Sequence, residues 1–184
     1  LRHIDALLDY RGISQMDWLG TGTGGLMGII LAARQDTPIR RVILNDIGPS
    51  ISASSIESFR TRFLEQPVFS HLSEAEKYFR TTYAEIGPIE DAQWSDYVIH
   101  SVNREPGPSY ILNYDPKVLD AFQPENLWEV YENIQCPVLL LRGQNSRILD
   151  SETAKAMAER GPGATLVEIG NCGHAPSLMT QDQV

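Results

Sequence analysis

The stretch that decides the fold is Met16-Asp-Trp-Leu-Gly-Thr-Gly-Thr-Gly-Gly25-Leu-Met-Gly-Ile-Ile-Leu-Ala-Ala33. A short apolar run, a glycine cluster and a run of small apolar residues predict a strand, a sharp turn and a helix. Glycine suits such a turn because it adopts positive φ and lets helix and strand backbones approach closely. The first amides of the helix, including the N–H of Thr23, then form an expected site for an anion or an oxyanion.

Two motifs fit the glycine cluster. As G-x-G-x-x-G, Gly20, Gly22 and Gly25 match the fingerprint of dinucleotide-binding proteins, and Asp46 follows at about the expected 20-residue distance. As G-x-S-x-G, the same stretch is a nucleophile elbow in which Gly22 occupies the position of the serine. The G-x-G-x-x-G motif predicts an NAD-binding oxidoreductase. The remainder of the chain instead favours the nucleophile elbow.

Composition limits the classes of protein to consider. The 184 residues, of which 42% are hydrophobic, suffice for one ordinary domain with a core. A formal net charge of −9 argues against nucleic acid or an anionic membrane as a partner, and no window approaches the ~18 apolar residues of a membrane span. Because Cys136 and Cys172 lack metal-ligand spacing, we expect reduced thiols, a cytoplasmic protein, and no metal or other cofactor.

The order of predicted elements indicates an α/β fold with an insertion. A helix over 1–11, the strand–turn–helix stretch and a strand over 40–45 make up segment 1–49, and they imply a parallel sheet. Segment 50–134 is predicted to be a helical cap insertion, with helices over 54–65, 73–86, 91–103 and 127–134 and an extended stretch over 110–114. A capping box at Ser73 and Glu76 is expected to open the second of these helices. Segment 135–184 returns to the α/β pattern, with strands over 137–142 and 164–169, a helix over 151–160 and a last helix from Ser177.

Four motifs, in this order and spacing, resemble the α/β-hydrolase superfamily, specifically capped bacterial hydrolases of the esterase and C–C-bond-hydrolase kind. They are Leu19-Gly-Thr-Gly-Thr-Gly-Gly25, Leu44-Asn-Asp-Ile-Gly-Pro49, Cys136-Pro-Val-Leu-Leu-Leu-Arg-Gly143 and Gly173-His-Ala-Pro176. The resemblance covers essentially the whole chain and implies the C-terminal part of a mostly parallel α/β-hydrolase sheet. Because a sheet without its first strands exposes an apolar edge, we expect an N-terminal segment or a homo-oligomer to complete it.

The resemblance also implies a Ser, an acid and a His, in this chain order, as catalytic residues. His174, in Gly-His-Ala-Pro after the last strand, matches the general base. Gly22 stands at the nucleophile position and supplies no nucleophile. In the loop after Arg142, relatives have roughly G-x-x-S-D-x-L-S, and here Arg147 stands at the position of the aspartate.

Two other carboxylates are candidates for the acid. Asp150 immediately precedes the helix over 151–160, where the role of an N-cap is favoured. Asp46 ends the strand after the elbow helix, near the position at which some members of the family carry a displaced acid.

These substitutions predict a protein related to serine hydrolases of small ester or acyl substrates that is catalytically impaired as written. Without the serine no acyl-enzyme forms, and Arg147 cannot replace the acid that fixes the tautomer of the histidine. A second hypothesis is a non-catalytic module that binds a small organic acid between the glycine turn and Arg147. In both cases the expected partner is a small-molecule ester or carboxylate.

Overall fold

The computed structural model describes residues 1–121, 126–181 and 183. In chain order the elements are α1 (Arg2–Arg11), β1 (Met16–Thr21), α2 (Thr23–Ala32), β2 (Ile39–Asn45), α3 (Ala53–Leu64), β3 (Val68–Phe69), α4 (Leu72–Thr82), a 3₁₀ helix (Ala84–Ile86), α5 (Asp91–Ser101), β4 (Val102–Arg104), β5 (Tyr110–Leu112), a 3₁₀ helix (Pro116–Ala121), α6 (Trp128–Glu132), β6 (Val138–Gly143), α7 (Ser151–Glu159) and β7 (Thr165–Ile169). They form two compact units, one of Leu1–Ser52 with Pro124–Pro176 and one of Ala53–Gln123 with Ser177–Val184. No helix among the described residues is long and apolar enough to cross a membrane.

The first unit is a parallel sheet with flanking helices. Its four strands stand in the order β1-β2-β6-β7, and every neighbouring pair is parallel. The connection from β1 through α2 to β2 is the strand–helix–strand unit that the sequence predicts. The predicted α/β class and the mostly parallel sheet are therefore confirmed.

Glycines allow α2 to lie directly against the sheet. A Cβ at Gly28 would come within 2.6 Å of the Trp18 ring, and a Cβ at Gly25 would overlap the side chain of Ile47. Trp18 also donates its Nε1–H to the carbonyl oxygen of Gly24 at 2.9 Å. These close contacts fix the position of the helix N-terminus above the turn.

Apolar side chains from sheet and helices form the core of the first unit, and α6 contributes to it. Tyr131 of α6 is fully buried, and its hydroxyl donates to the carbonyl oxygen of Met157 at 2.7 Å. The sequence places 127–134 in the insertion, whereas Leu127, Tyr131 and Ile134 pack in this core. A five-residue helix beside an aromatic-rich stretch carries no local signal of which core it joins.

The second unit combines helices α3, α4 and α5 with a small antiparallel sheet in the order β3-β5-β4. Its core is aromatic and is centred on Phe69, Phe79 and Trp94. The extended stretch predicted at 110–114 is observed as β5. Strands β3 and β4 were not predicted because two or three residues are too few to show the alternation of a strand.

Two local predictions are wrong. Helix α4 begins after His71 without a side-chain cap, so the capping box predicted at Ser73 does not form. A capping box does open α5, where Glu90 and Gln93 bond reciprocally to backbone amides. The helix predicted from Ser177 is absent from the described residues beyond Pro176, and residues 182 and 184 of that prediction lie outside them.

Gly20→Ala should destabilise the chain far more than Gly24→Ala. A Cβ at Gly20 would lie 2.6 Å from the backbone nitrogen of Gly25, whereas a Cβ at Gly24 meets nothing within 4 Å. We expect Gly20→Ala to lower the free energy of unfolding by about 1–3 kcal/mol or more. Gly24→Ala should leave it unchanged or raise it by up to about 1 kcal/mol, because alanine favours the helix. Urea unfolding followed by circular dichroism measures the free energy of unfolding of both variants. An equal decrease in the two variants would contradict the close packing of Gly20 against the helix.

Candidate active site

The carboxyl ends of the parallel strands carry every residue that the sequence predicts for the site. Gly22 follows β1, Asp46 follows β2, Arg147 and Asp150 lie after β6, and His174 lies after β7. Parallel strands end at a common edge, which is where open α/β sheets bind their ligands. The strand order places the end of β2 between the turn after β1 and the loop after β6.

Gly22 forms the sharp turn between β1 and α2. Its φ of 52° and ψ of −126° are strained for any residue with a side chain. No side chain caps α2, so the N–H of Thr23 belongs to the first-turn amides that lack an acceptor within the helix. A Cβ at Gly22 would meet no atom within 4 Å, so the space that a nucleophile would occupy is open. The oxyanion role of Thr23 stays a prediction, and its backbone suits that role.

Asp46 is the centre of the hydrogen bonds at this edge of the sheet. Its side chain is fully buried, and its φ of 56° is in the left-handed region that Asp tolerates better than most residues. Oδ1 accepts from the N–H of Gly143 at 2.9 Å. Oδ2 accepts from the hydroxyl of Ser146 at 2.5 Å, from Nδ1 of His174 at 2.8 Å and from the N–H of Ala175 at 3.2 Å. These four donors compensate a carboxylate that would otherwise be costly to bury.

The imidazole of His174 thus has a carboxylate partner. An ionised carboxylate only accepts hydrogen bonds, so Nδ1 carries the proton and Nε2 is left as the basic nitrogen. The side chain of His174 is 24% exposed while that of Asp46 has no exposure, so solvent reaches the ring but not its partner. This pairing is the one in which a serine hydrolase holds its general base.

The loop after β6 supplies a hydroxyl to the site. Besides donating to Asp46, the Ser146 oxygen accepts from the N–H groups of Ile148 and Leu149 at 3.2 Å each. Ser146 matches the serine of the G-x-x-S-D-x-L-S pattern, but no role was predicted for it, because its partner lies 100 positions earlier in the chain.

Asp150 has the structural role that the sequence favours. Its Oδ1 accepts from the N–H of Thr153 at 2.7 Å and its Oδ2 from the hydroxyl of the same residue at 2.9 Å, which caps α7. The sequence places Arg147 at the position of the acid and leaves Asp150 and Asp46 as alternative acids. Asp46, at the end of the neighbouring strand, forms the hydrogen bond to His174.

Arg142 is a further residue of the site region that sequence reasoning missed. Its buried guanidinium donates from Nε to the carbonyl oxygen of Leu149 at 2.9 Å and from Nη1 to the carboxylate of Glu168 at 2.6 Å. Because Nη1 also donates to the carbonyl oxygen of Gln144 at 3.4 Å, Arg142 joins both ends of the loop 144–149 to strand β7. The only available signal was a charged residue at the end of a buried strand.

The structure argues against the NAD-binding alternative, because Asp46 is not available to bind a cofactor. That interpretation assigns Asp46 to the ribose of a cofactor, which requires an accessible carboxylate oxygen. Both oxygens of Asp46 are instead occupied by donors of this chain, and the side chain has no exposure.

A parallel sheet, a glycine elbow that opens a helix and a buried carboxylate–histidine pair at the strand ends are typical of the α/β-hydrolase fold. Comparison with known proteins agrees, since the chain shares its fold with α/β hydrolases of known structure. No family model matches the chain.

Three relatives illustrate the likeness. The 3-hydroxybutyrate-oligomer hydrolase of Cupriavidus necator is 33% identical in an alignment of 186 positions, gaps included, that covers 94% of this chain and 63% of the relative. The crystal structure of a Rickettsia typhi protein superposes with a TM-score of 0.92 at 30% identity and covers 99% of this chain and 64% of that one. An α/β hydrolase of Novosphingobium aromaticivorans superposes with a TM-score of 0.86 at 30% identity, with coverages of 98% and 66%. The chain therefore spans less than two thirds of the length of each relative.

Asp150→Ala should destabilise the chain by about 0.5–2 kcal/mol at neutral pH, because it removes the cap of α7. Burial opposes ionisation of Asp150, but hydrogen bonds from the backbone and hydroxyl of Thr153 outweigh it and hold its pKa below the usual 3.8. A lowered folded-state pKa means that the stabilisation is complete above the unfolded-state pKa and is lost as the pH falls through the folded-state pKa. The difference in free energy of unfolding between Asp150→Ala and the unsubstituted chain, measured by urea unfolding, should therefore shrink below about pH 4.

Asp150→Asn is the matched control, since an asparagine amide also caps helices. It should retain most of the stability and show a weaker dependence on pH. If Asp150→Ala lowers the free energy of unfolding by the same amount at pH 3 and at pH 7, the capping role is contradicted.

Proposed function

We propose that this chain carries an ester-hydrolase site in which the acid and the base are complete and only the nucleophile is absent. The observation that carries the proposal is the 2.8 Å hydrogen bond between Nδ1 of His174 and the buried carboxylate of Asp46. This bond supports His174 as the general base and Asp46 as its acid. Gly22 then accounts for the impairment by itself, and the change at Arg147 has no further catalytic consequence.

The proposed chemistry follows from what remains at the site. Without a serine oxygen no acyl-enzyme forms, and the other groups can only position and polarise a bound ester. Loss of a triad member leaves at most about 10³–10⁴-fold acceleration over water. The chain as written is thus proposed to bind an ester or its acid product and to turn it over very slowly.

The proposed ligands are short esters of hydroxy acids. The relative from Cupriavidus necator is named for hydrolysis of 3-hydroxybutyrate oligomers, which are chains of ester bonds that end in a carboxylate. Such a compound presents a carbonyl oxygen that becomes negative during attack. The uncapped N-terminus of α2 offers amide donors of the kind that stabilise this charge.

Gly22→Ser should create a nucleophile that a fluorophosphonate probe labels stoichiometrically. The space at this position is open, so the added oxygen fits, while the positive φ should lower the stability by about 1–2 kcal/mol. The variant should also hydrolyse p-nitrophenyl acetate and 3-hydroxybutyrate oligomers. Intact-mass spectrometry measures the label. The absorbance of released p-nitrophenolate measures turnover of p-nitrophenyl acetate, and chromatography of the released acid measures hydrolysis of the oligomers.

Gly22→Ala is the matched control, because it carries the same backbone strain without a hydroxyl. It should remain unlabelled, as should the unsubstituted chain. Stoichiometric labelling of the unsubstituted chain, or a folded Gly22→Ser variant that resists the probe, would overturn the proposal.

The identity of the acid is tested in the Gly22→Ser background. Adding Asp46→Asn should lower kcat by about 10⁴-fold, the cost of the wrong histidine tautomer in a serine hydrolase. Adding Arg147→Asp should change kcat less than about tenfold, because Asp46 already binds the imidazole. The opposite pattern, with Arg147→Asp required for activity and Asp46→Asn harmless, would assign the acid to position 147.

A further inference from the structure

The side chain of Asn45 connects two strand ends to the loop that carries His174. Asn45 is the last residue of β2, opposite Thr21 in the register with β1. Its Nδ2 group donates to the hydroxyl oxygen of Thr21 at 3.1 Å and to the carbonyl oxygen of Pro176 at 3.0 Å. Thr21 immediately precedes Gly22, and Pro176 lies two residues after His174, so one amide spans the elbow and the histidine loop.

The orientation of this amide is fixed by its partners. The Pro176 carbonyl can only accept, so the nitrogen and not the oxygen of Asn45 must face it. Oδ1 then points to a side where it is buried and has no hydrogen-bond partner among the described residues. A buried oxygen without a partner costs stability. Residues that violate a local rule of stability in this way are concentrated at functional sites.

Asn45 and Asp46, which are adjacent in the chain, together form hydrogen bonds to residues 174–176 of the histidine loop. Asp46 binds Nδ1 of His174 and the N–H of Ala175, while Asn45 binds the carbonyl oxygen of Pro176. The bond to Asp46 orients the ring within the loop. The bonds of Asn45 set the distance of that loop from β1, which leads directly into the nucleophile position.

We propose that Asn45 is a positioning residue that fixes His174 relative to the elbow at Gly22. Its effect on turnover rests on the proposed function, whereas its effect on the imidazole does not. In this arrangement Asn45 acts through Pro176 and Thr21 and does not itself touch the reacting atoms. Removal of its donors releases the histidine loop from β1 without removing the acid.

The first test observes the imidazole in the chain that carries Gly22. Asn45→Leu has nearly the shape of asparagine but no donors, and Asn45→Ala avoids any strain that leucine introduces. Both should shift and broaden the downfield proton resonance of Nδ1–H of His174 in nuclear magnetic resonance spectra. Thr21→Val removes only the hydroxyl contact and should have a smaller effect, because the bond to Pro176 remains.

The second test measures turnover of p-nitrophenyl acetate in the Gly22→Ser background. Asn45→Leu and Asn45→Ala should each lower kcat by about 10- to 100-fold, since small misplacements of a catalytic group have effects of this size. KM should change less than about twofold, because ground-state binding is not affected.

Tyr131→Phe is the matched control for a purely structural role. It removes the buried hydroxyl of Tyr131 in the same unit, which bonds to the backbone of Met157 and of Ala164, and neither partner is a residue of the site. It should lower stability and leave kcat and the His174 resonance unchanged.

The outcomes separate the two proposals. An unshifted His174 resonance in both folded Asn45 variants, or a kcat equal to that of Tyr131→Phe, would overturn the positioning role. If Gly22→Ser shows no turnover, the hydrolase proposal fails, and the resonance experiment still decides the role of Asn45.

Discussion

The buried carboxylate of Asp46 is the constraint on which the site depends. A charge with no exposure must be compensated by donors, and here the donors come from the last residue of β6 and from the loops after β6 and β7. Satisfying one carboxylate therefore draws the ends of three neighbouring strands together. The same interaction that makes the burial of Asp46 tolerable also orients the imidazole of His174.

Gly22 and Arg147 both depart from the residues of a serine hydrolase. The hydrogen bonds of Asp46 show that the two departures differ in their effect on the site. Arg147 lies in a loop whose contribution to the histidine is indirect, through the hydroxyl of Ser146 on Asp46. The carboxylate that bonds to the ring is that of Asp46. Gly22 stands where no neighbouring group can substitute for it, because a nucleophile must project from the turn itself. The structure accordingly shows a hydrogen-bonded carboxylate–imidazole pair at the strand ends and an open space at Gly22.

Sequence patterns predicted the features that depend on local chemistry. The glycine cluster located the turn at Gly22, apolar runs located strands β1, β2, β6 and β7, and the position of Asp150 before a helix indicated its capping role. The motif around His174 placed that residue at the correct edge of the sheet. Each of these features is set by residues within a few positions of one another.

The contacts of Asp46, Ser146 and Asn45 could not be predicted in the same way. Their hydrogen bonds join residues about 100 or more positions apart, to Ser146, His174 and Pro176. Such bonds depend on strand order, which places the end of β2 next to β6 although about 90 residues separate them in the chain. Asp46 was one of two candidate carboxylates, beside Asp150, and only the strand order brings it within hydrogen-bonding distance of His174.

The most direct test is the tautomer of His174, read from nitrogen chemical shifts of histidine-labelled protein at a pH where the ring is neutral. We predict that the proton lies on Nδ1 in the unsubstituted chain and that Asp46→Asn abolishes this preference. A proton on Nε2 in the unsubstituted chain, or the same tautomer with and without the carboxylate, would contradict the account.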